Sequence, residues 1–330
     1  MSLSSSNQWL GKRKLKLTYL RTVKEKRLID EDVHSCKKTR KISLSITNLP
    51  DEFLDRVYQS LESSSDRSSF GLVCLRWLHI RFQHFKFLSL GNCQPRYSNM
   101  KLSSIFSRFP CLASVRLIDT HINDEGLKVL AKCCASLEKV DLTSSQRVTD
   151  SGINFLVQNC SKLQSLTITY CSRVTGIGFL GCPSTLTHVD AVGASKLTTD
   201  GIRAITSGGG IQSLHLSGNV VNNDAIIKIT KDCILLKSLQ LKSCHEVTLE
   251  GWEAISLHCK NLKSLYVNDC PTLCDLSLQA LRDGCNKLSY LSIDDSWSEI
   301  AIKLFKQQRP NVYLRTANYF RKDLQEASVC

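Results

Sequence analysis

Cysteine and histidine pairs are the side chains whose types and spacing could hold a metal ion. The pairs are Cys244–His245, His258–Cys259 and Cys270–Cys274. Thiolate and imidazole groups bind zinc, but structural zinc sites usually pair cysteines as C-x-x-C, and that spacing does not occur in this sequence. Most of these cysteines also fall in register with a repeat described below. We therefore expect a structural role for them, with no metal and no cofactor.

The sequence carries none of the common catalytic motifs. It has no phosphate-binding P-loop, no G-x-S-x-G and no H-E-x-x-H. The glycine run Gly208–Gly210 follows a helix-like stretch, where glycine ends a helix more often than it holds a phosphate. The sequence thus predicts no catalytic residue.

Charge is concentrated at the start of the chain. The net charge is +13, and residues 1–45 alone carry twelve Lys or Arg against four acids. This leader has no sustained apolar face, so we expect it to be disordered. A solvated tail or a nuclear import signal is favoured over nucleic-acid binding, because aromatic residues are sparse among its charges.

The rest of the composition indicates a location in the cytoplasm or nucleus. The sequence has no run of about 18 apolar residues, so it predicts no membrane helix. The first basic residues are not followed by the apolar stretch of a secretion signal. The chain has 16 cysteines. Without a secretion signal, these are expected to be reduced and mostly buried.

An internal repeat organises residues 87–308. Its core is L-x-x-L-x-L, and its first positions recur at intervals of 25, 26, 23, 25, 25, 26 and 26 residues. The eight instances begin at Leu112, Leu137, Leu163, Leu186, Ile211, Leu236, Leu262 and Leu288. Regular self-similarity of this length is typical of solenoid proteins.

A helix signature follows the repeat core. In VTDSGINFL (148–156), a polar start precedes an apolar helical face, and Thr149 is a good N-cap; Thr198 or Thr199, and Thr248, suit the same role. Each unit is therefore predicted as a short strand, a turn and a helix of about ten residues. One unit cannot bury its own apolar face, so we expect an α/β solenoid with parallel strands on its concave side.

The repeat resembles the cysteine-containing leucine-rich repeat, which has a cysteine just before the first leucine and a second three residues after the core. The first slot holds Cys134, Cys160, Cys182, Cys233, Cys259 and Cys285, and Cys111 fits it out of register. The second slot holds Cys171, Cys244 and Cys270, with small residues in the other units.

A different pattern occupies residues 46–86. Leu49 and Pro50 precede an apolar helical stripe, and a second helical piece leads into Trp77. About forty residues with this much apolar surface form a poor independent domain, so we expect the solenoid and a partner to cover it. A simple N-terminal cap for the solenoid is the alternative.

This segment resembles the F-box, through L-P-D-E-x-L (49–54) and L-V-C-x-x-W (72–77). The F-box binds the Skp-type adaptor of Skp–cullin–F-box ubiquitin ligases. The resemblance implies adaptor contacts through Leu49, Pro50, Phe53, Leu54, Val57, Leu72, Val73, Cys74 and Trp77. DRSSFGLVCLRW (66–77) and GNC (91–93) are similar to the plant auxin receptors, which indicates a plant protein.

The outward positions of the strands are the candidate surface for a protein target. One column is Arg116, Asp141, Thr167, Asp190, His215, Gln240, Tyr266 and Ser292, and the next runs from Ile118 to Asp294. The candidates for target binding on this concave face are Arg116, Asp141, Tyr170, Asp190, His215, Lys242, Tyr266 and Trp297. Mixed charge argues against a nucleic-acid groove, which would be basic throughout.

These observations favour a non-catalytic receptor subunit of a ubiquitin ligase. The F-box would bind the adaptor, and through it the cullin and RING subunits, while the repeats bind a protein substrate. Residues 309–330 are predicted as a C-terminal cap and tail. Two alternatives remain: a binding scaffold outside any ligase, and a hormone co-receptor similar to the auxin receptors. Those receptors have about twice as many repeats.

Overall fold

The structure is a computed structural model that describes residues 49–91, 99–218, 220–293 and 298–316. The basic leader 1–45 and the tail from residue 317 lie outside these ranges. The chain forms two compact units, residues 1–53 and residues 54–330. Only residues 49–53 of the first are described.

Three short helices make up the described part of the predicted F-box segment. They are α1 (Asp51–Ser60), α2 (Ser64–Phe70) and α3 (Leu75–Gln83). Asp51 and Glu52 lie in the first turn of α1, where carboxylates interact favourably with the helix dipole. Ser63 caps α2, because its side chain accepts a hydrogen bond of 3.0 Å from the backbone N–H of Asp66.

Ten parallel strands form one sheet in chain order. They are β1 (Phe87–Ser89), β2 (Ser114–Arg116), β3 (Lys139–Asp141), β4 (Ser165–Thr167), β5 (His188–Asp190), β6 (Ser213–Ser217), β7 (Ser238–Lys242), β8 (Ser264–Asn268), β9 (Tyr290–Ile293) and β10 (Tyr313–Thr316). Strands β2 to β9 carry the eight predicted repeat cores. Strand β10 extends the sheet into the segment predicted as a cap, and neither it nor β1 has the full leucine pattern.

Helices connect most of the strands. They are α4 (Asn99–Phe106), α5 (Asp124–Cys133), α6 (Asp150–Asn159), α7 (Thr199–Thr206), α8 (Asn223–Asp232), α9 (Leu249–His258), α10 (Asp275–Gly284) and α11 (Glu299–Gln308). The unit that begins at Leu163 departs from the prediction, because a 3-10 turn at Ile177–Phe179 stands where an α-helix was expected. This unit is the shortest, with 23 residues to the next core.

The core of the solenoid is continuous from Leu102 to Val312. The inward positions of the repeat are buried as predicted, for example Leu137, Val140 and Leu142 in one unit. All six cysteines that fit the first slot are buried, and Cys111 is half-buried. Five of the six directly follow a helix; Cys182 instead follows the 3-10 turn.

In the units of Ser145 and Cys171, the side chain in the second slot ties the turn to the preceding unit. The Ser145 hydroxyl donates to the Leu117 carbonyl at 2.9 Å, and the Cys171 thiol donates to the Leu142 carbonyl at 3.1 Å. These carbonyls belong to the last core residue of the unit before. The slot takes small side chains because the chain turns inside the core, and Ser or Cys there can also satisfy a buried carbonyl.

Carboxylates at the starts of helices also link consecutive units. The Asp124 carboxylate accepts hydrogen bonds from the Thr149 backbone N–H and hydroxyl, at 2.8 and 2.6 Å. Asp150 does the same for Thr175, at 3.0 and 2.8 Å, and accepts two more backbone N–H bonds from Gly176 and Gly178. In these two cases, the acid at the first position of one helix accepts hydrogen bonds from the turn that begins the helical segment of the next unit.

Replacing Asp150 with alanine should destabilise the solenoid measurably. The change removes the carboxylate that accepts four hydrogen bonds from the next unit, so we expect a loss on the order of 2–3 kcal/mol in the free energy of unfolding. Asp200 lies one position later, as the second residue of α7, and its exposed side chain pairs with Arg203 on its own helix. Asp200→Ala should cost less than about 1 kcal/mol. Chemical denaturation of both variants checks this, and equal losses would contradict it.

Candidate functional site

Aromatic side chains hold α1, α2 and α3 together. Tyr58 and Phe70 are buried, with ring centroids 5.1 Å apart in an edge-on arrangement. The ring of Trp77 lies 4.3 Å from that of Phe70 and is half-buried. The bend from α2 into α3 is therefore fixed by side-chain packing.

The predicted adaptor residues divide by exposure. Leu72 is 83% exposed, and Phe53, Val57, Val73, Cys74 and Pro50 are also exposed. Leu49 is half-buried. Leu54 is fully buried, so the expectation that it contacts an adaptor needs correction: its side chain is part of the core and has no surface to offer.

Sequence reasoning missed Leu75 in this segment. It opens α3 directly after Cys74 and is 74% exposed. Its signal was an apolar residue at the first position of a helix, where it cannot reach the helix's buried side. With Val57, Leu72 and Val73 it gives residues 54–83 four exposed large apolar side chains, which is typical of an interaction surface.

The open side of the sheet carries the second candidate site, which we call the strand face. Strand register aligns the first predicted column as expected, pairing Arg116 with Asp141 and continuing through every strand to Ser292. Ser292 differs from the rest of the column in being buried. Trp297, another predicted target contact, lies outside the described residues.

Polar contacts fix several side chains of the strand face. The Asp141 carboxylate accepts hydrogen bonds from the backbone N–H and the hydroxyl of Thr143, at 3.0 and 2.7 Å. The Arg116 guanidinium lies 3.6 Å from Asp141 and 5.6 Å from the centre of the Phe87 ring. Arg116 is still half-exposed, so the pair is available to a partner.

Asp190, His215 and Ser213 form a chain of contacts at the centre of the strand face. His215 Nδ1 lies 3.2 Å from the Asp190 carboxylate, and Ser213 Oγ lies 3.3 Å from His215 Nε2. Burial alone would raise the pKa of Asp190, but hydrogen bonds from His215, Val192 N–H and Thr169 lower it below its ordinary value. The carboxylate is therefore charged at neutral pH.

The Asp190–His215–Ser213 contacts follow the Asp–His–Ser order that activates serine in hydrolases. The surrounding backbone differs from that of a hydrolase active site. A hydrolase also aims backbone N–H groups at a developing oxyanion. Here the backbone N–H groups of Gln212 and Ser213 both donate to the Thr187 carbonyl, at 2.8 and 2.9 Å. The contacts orient three polar side chains on a rigid sheet, which suits recognition better than catalysis.

Three tyrosines form a cluster near the end of the sheet. The ring of Tyr266 lies 4.9 Å from that of Tyr290, which is 5.6 Å from Tyr313 and stacked on it. Tyr266 was predicted, whereas Tyr290 and Tyr313 were missed. They belong to an outward column two residues earlier in each strand, and their register became evident only from the pairing of β9 with β10.

Three of the four cysteines in the pairs with metal-like spacing, Cys244, Cys259 and Cys270, are buried in the core, and Cys274 is exposed. The Cys244 backbone N–H donates to Cys270 Sγ at 3.4 Å, and both side chains are buried. Within the described ranges, no group of three or more His, Cys, Asp or Glu could hold a metal ion. No helix in the part of the chain that the structure describes is long and apolar enough to span a membrane.

Comparison with known proteins gives relatives in one plant. The chain is 37% identical over 289 residues to F-box/LRR-repeat protein 12 of Arabidopsis thaliana, covering 67% of this chain and 73% of that protein. A 94-residue stretch is 31% identical to F-box protein MAX2 of Arabidopsis thaliana, covering 27% of this chain and 13% of that one. No family model matches.

A solved structure also resembles the fold. Yeast Rad7, crystallised with Elc1, superimposes with a TM-score of 0.50 at 18% identity, over 95% of this chain and 93% of the matched chain. At that identity the likeness concerns the fold alone. It agrees with the leucine-rich-repeat solenoid described above.

Thiol labelling should separate the cysteines by environment. Burial raises the pKa of Cys233 and Cys259 to about 12, whereas a hydrogen bond with Ser277 lowers the pKa of the exposed Cys274. Because the thiolate is the nucleophile, iodoacetamide at mildly alkaline pH should modify Cys274 faster than Cys259 by a factor on the order of a thousand. Peptide mapping by mass spectrometry over time checks this. Rapid modification of Cys259 in the folded protein would show the expectation to be wrong.

Proposed function

We propose, since this chain belongs to the family of F-box/leucine-rich-repeat proteins, that it is the substrate receptor of a Skp–cullin–F-box ubiquitin ligase. The observation that carries the proposal is the set of exposed apolar side chains on the three N-terminal helices. The F-box binds a Skp-type adaptor, and cullin and RING subunits join through that adaptor. The leucine-rich repeats bind a protein target.

The exposed apolar side chains of this segment would contribute favourable free energy to an adaptor contact. Burying a Leu or Val side chain contributes roughly 1.5–3 kcal/mol. Leu72 and Leu75 are largely exposed, and Val57 and Val73 are partly so. The free energy gained by burying several such residues exceeds the cost of lost translational and rotational freedom only when the partner surface is complementary. This supports a specific, apolar-lined partner for this segment.

The chain itself performs no chemistry in this proposal. It holds the target near the catalytic subunits, so that ubiquitin transfer is accelerated by proximity and orientation. The Asp190–His215–Ser213 contacts on the strand face serve recognition. The cytoplasm and the nucleus are the compartments in which such a ligase works, and the basic leader would direct import if the target is nuclear.

The strand face is the proposed site of target binding. Arg and Tyr dominate the energetics of protein interfaces, and Arg116 and Tyr266 project from this sheet. Side chains on rigid strands are held more accurately than those on loops, which favours recognition there. The mixture of Arg116 with Asp141 and Asp190 favours a protein partner over a nucleic acid.

Leu72→Glu should abolish co-purification with a Skp-type adaptor. A carboxylate at this position cannot be buried in an apolar interface without a large desolvation cost. The solenoid should stay folded, because Leu72 contributes little to the core. Ile234→Glu is the matched control, since Ile234 is 67% exposed but lies beyond the F-box. Undiminished adaptor binding by Leu72→Glu would contradict this adaptor contact and favour a binding scaffold outside any ligase.

Tyr266→Ala combined with Arg116→Ala should weaken target capture while leaving adaptor binding unchanged. Each change should cost on the order of 1–2 kcal/mol, and more where the residue is a hot spot. Paired pull-downs of target and adaptor after proteasome inhibition provide the measurement. If capture survives both changes and is lost on deleting residues 317–330, recognition belongs to the C-terminal tail.

A further inference from the structure

A left-handed residue follows each of β2 to β8, two positions after the last inward core residue. The residues are Asp119, Ser144, Tyr170, Gly193, Gly218, Ser243 and Asp269, with φ between +51° and +89°. Only glycine adopts this conformation without cost, and other residues lose on the order of 1 kcal/mol. Short polar side chains are the usual substitutes, so Tyr170 is the exception in this series.

Tyr170 is held in this conformation by neighbours on both sides. Its backbone N–H donates to the Val192 carbonyl at 2.9 Å, and its carbonyl accepts from Gln146 Nε2 at 2.7 Å. Its ring lies over Gly193, where a Cβ would collide with it. Yet the side chain is 51% exposed. Strained backbone conformations cluster at functional sites, and here the strained residue keeps an aromatic ring at the surface.

The next two turns leave space beside that ring. Gly193 and Gly218 are adjacent in the series, and a Cβ added at Gly218 would meet nothing within 4 Å. We count each turn from the last inward core residue of the strand to the buried residue before the next helical segment. By this count the turn after β6 has one residue fewer than the turns after β4, β5, β7 and β8. The missing side chains and the short turn together open a groove.

This groove, which we call the glycine groove, has a volume of about 330 Å³. Its lining includes Tyr170, Val192, Gly193, Gly218, Val220 and Lys242. The aromatic ring and the two valines provide apolar walls, and the Lys242 ammonium group adds a cation at one end. The space suits one apolar side chain of a partner together with a flanking anion.

Three further cations lie in the turns after β3, β4 and β5. Arg147, Arg173 and Lys196 occupy the same position in three consecutive turns, five residues after the core, and all are exposed. Among the described residues, none of them lies within 4.0 Å of a carboxylate oxygen. Like charges opposite one another on adjacent units repel, and a bound anion would relieve this. The series ends beyond the groove, where the turn after β7 has Glu246.

We propose that the glycine groove anchors the target, by taking an apolar side chain of a protein segment whose carboxylates lie against Arg147, Arg173 and Lys196. This rests on the proposed function, since it identifies the target's recognised segment. It assigns specificity to the turns at the carboxyl ends of β4 to β7.

A phage-displayed random peptide library, selected on the full chain bound to its adaptor, tests the proposal. Enriched sequences should place Asp or Glu beside a Leu, Ile, Met or aromatic residue. A selection without an acidic and apolar consensus overturns the proposal. The library carries no phosphate, so an acidic consensus identifies carboxylates as the recognised anions.

Variants of the groove locate the binding of an enriched synthetic peptide. Gly218→Asn fills the groove with a residue type that tolerates the left-handed conformation, and Lys242→Glu inverts the flanking charge; each should raise the dissociation constant about tenfold or more. Ser144→Asn changes the same turn position elsewhere, and Lys231→Glu makes the same charge change on α8, so both should bind as the wild type does.

Two further measurements keep the outcomes distinct. Lys242→Arg should retain most of the affinity, and thermal unfolding should show that Lys242→Glu is folded, so the result stands even if Gly218→Asn folds poorly. Peptide binding that is equal in wild type, Gly218→Asn and Lys242→Glu overturns the glycine groove as the anchor. Adaptor binding by the same proteins reports separately on the proposed function, since the groove does not include the F-box.

Discussion

A repeat of about 25 residues has one apolar face and cannot bury it alone. Every unit from β2 to β9 therefore depends on the unit before and the unit after it for its core. This constraint sets the parallel register, because a shift of one residue in a strand would turn its leucines to solvent. Hydrogen bonds between units follow the same rule, as with Asp124 to Thr149 and Ser145 to Leu117.

The same constraint leaves the outward positions free to differ. Inward residues are restricted to Leu, Val, Ile and a few small side chains, whereas the outward column runs from Arg116 through His215 to Tyr266. A rigid sheet with variable side chains is well suited to recognising another protein. The F-box segment has the opposite character, since large apolar side chains such as Leu72 remain exposed on short helices.

Two departures from the regular repeat lie close together in the chain. The unit after β4 has a 3-10 turn, and its backbone packs so closely that a Cβ at Gly178 would collide with the Asp150 backbone. The Asp150 carboxylate accepts hydrogen bonds from the N–H groups of Gly176 and Gly178, which lie in the first turn and would lack a backbone partner in an α-helix as well. Tyr170, with its left-handed backbone, begins this same turn. Both departures thus belong to the repeat unit that begins at Leu163.

The amino-acid sequence by itself determined the repeat, the strand register, the buried cysteines and the helix caps at Thr149 and Thr198. These follow from local periodicity, because each unit repeats nearly the same pattern of apolar and capping residues. It also indicated the F-box and most of its surface residues, but not the burial of Leu54, whose neighbour Phe53 has the same apolar character. Side-chain type does not distinguish the two sides of a short helix whose apolar residues are adjacent.

Only the tertiary structure decided which outward side chains meet. Tyr266, Tyr290 and Tyr313 are separated by more than twenty residues in sequence and become one cluster through the pairing of β8, β9 and β10. The glycine groove likewise depends on two turns from different units lying side by side. Contacts between units depend on how the units stack, and stacking is a property of the whole sheet that no single repeat encodes.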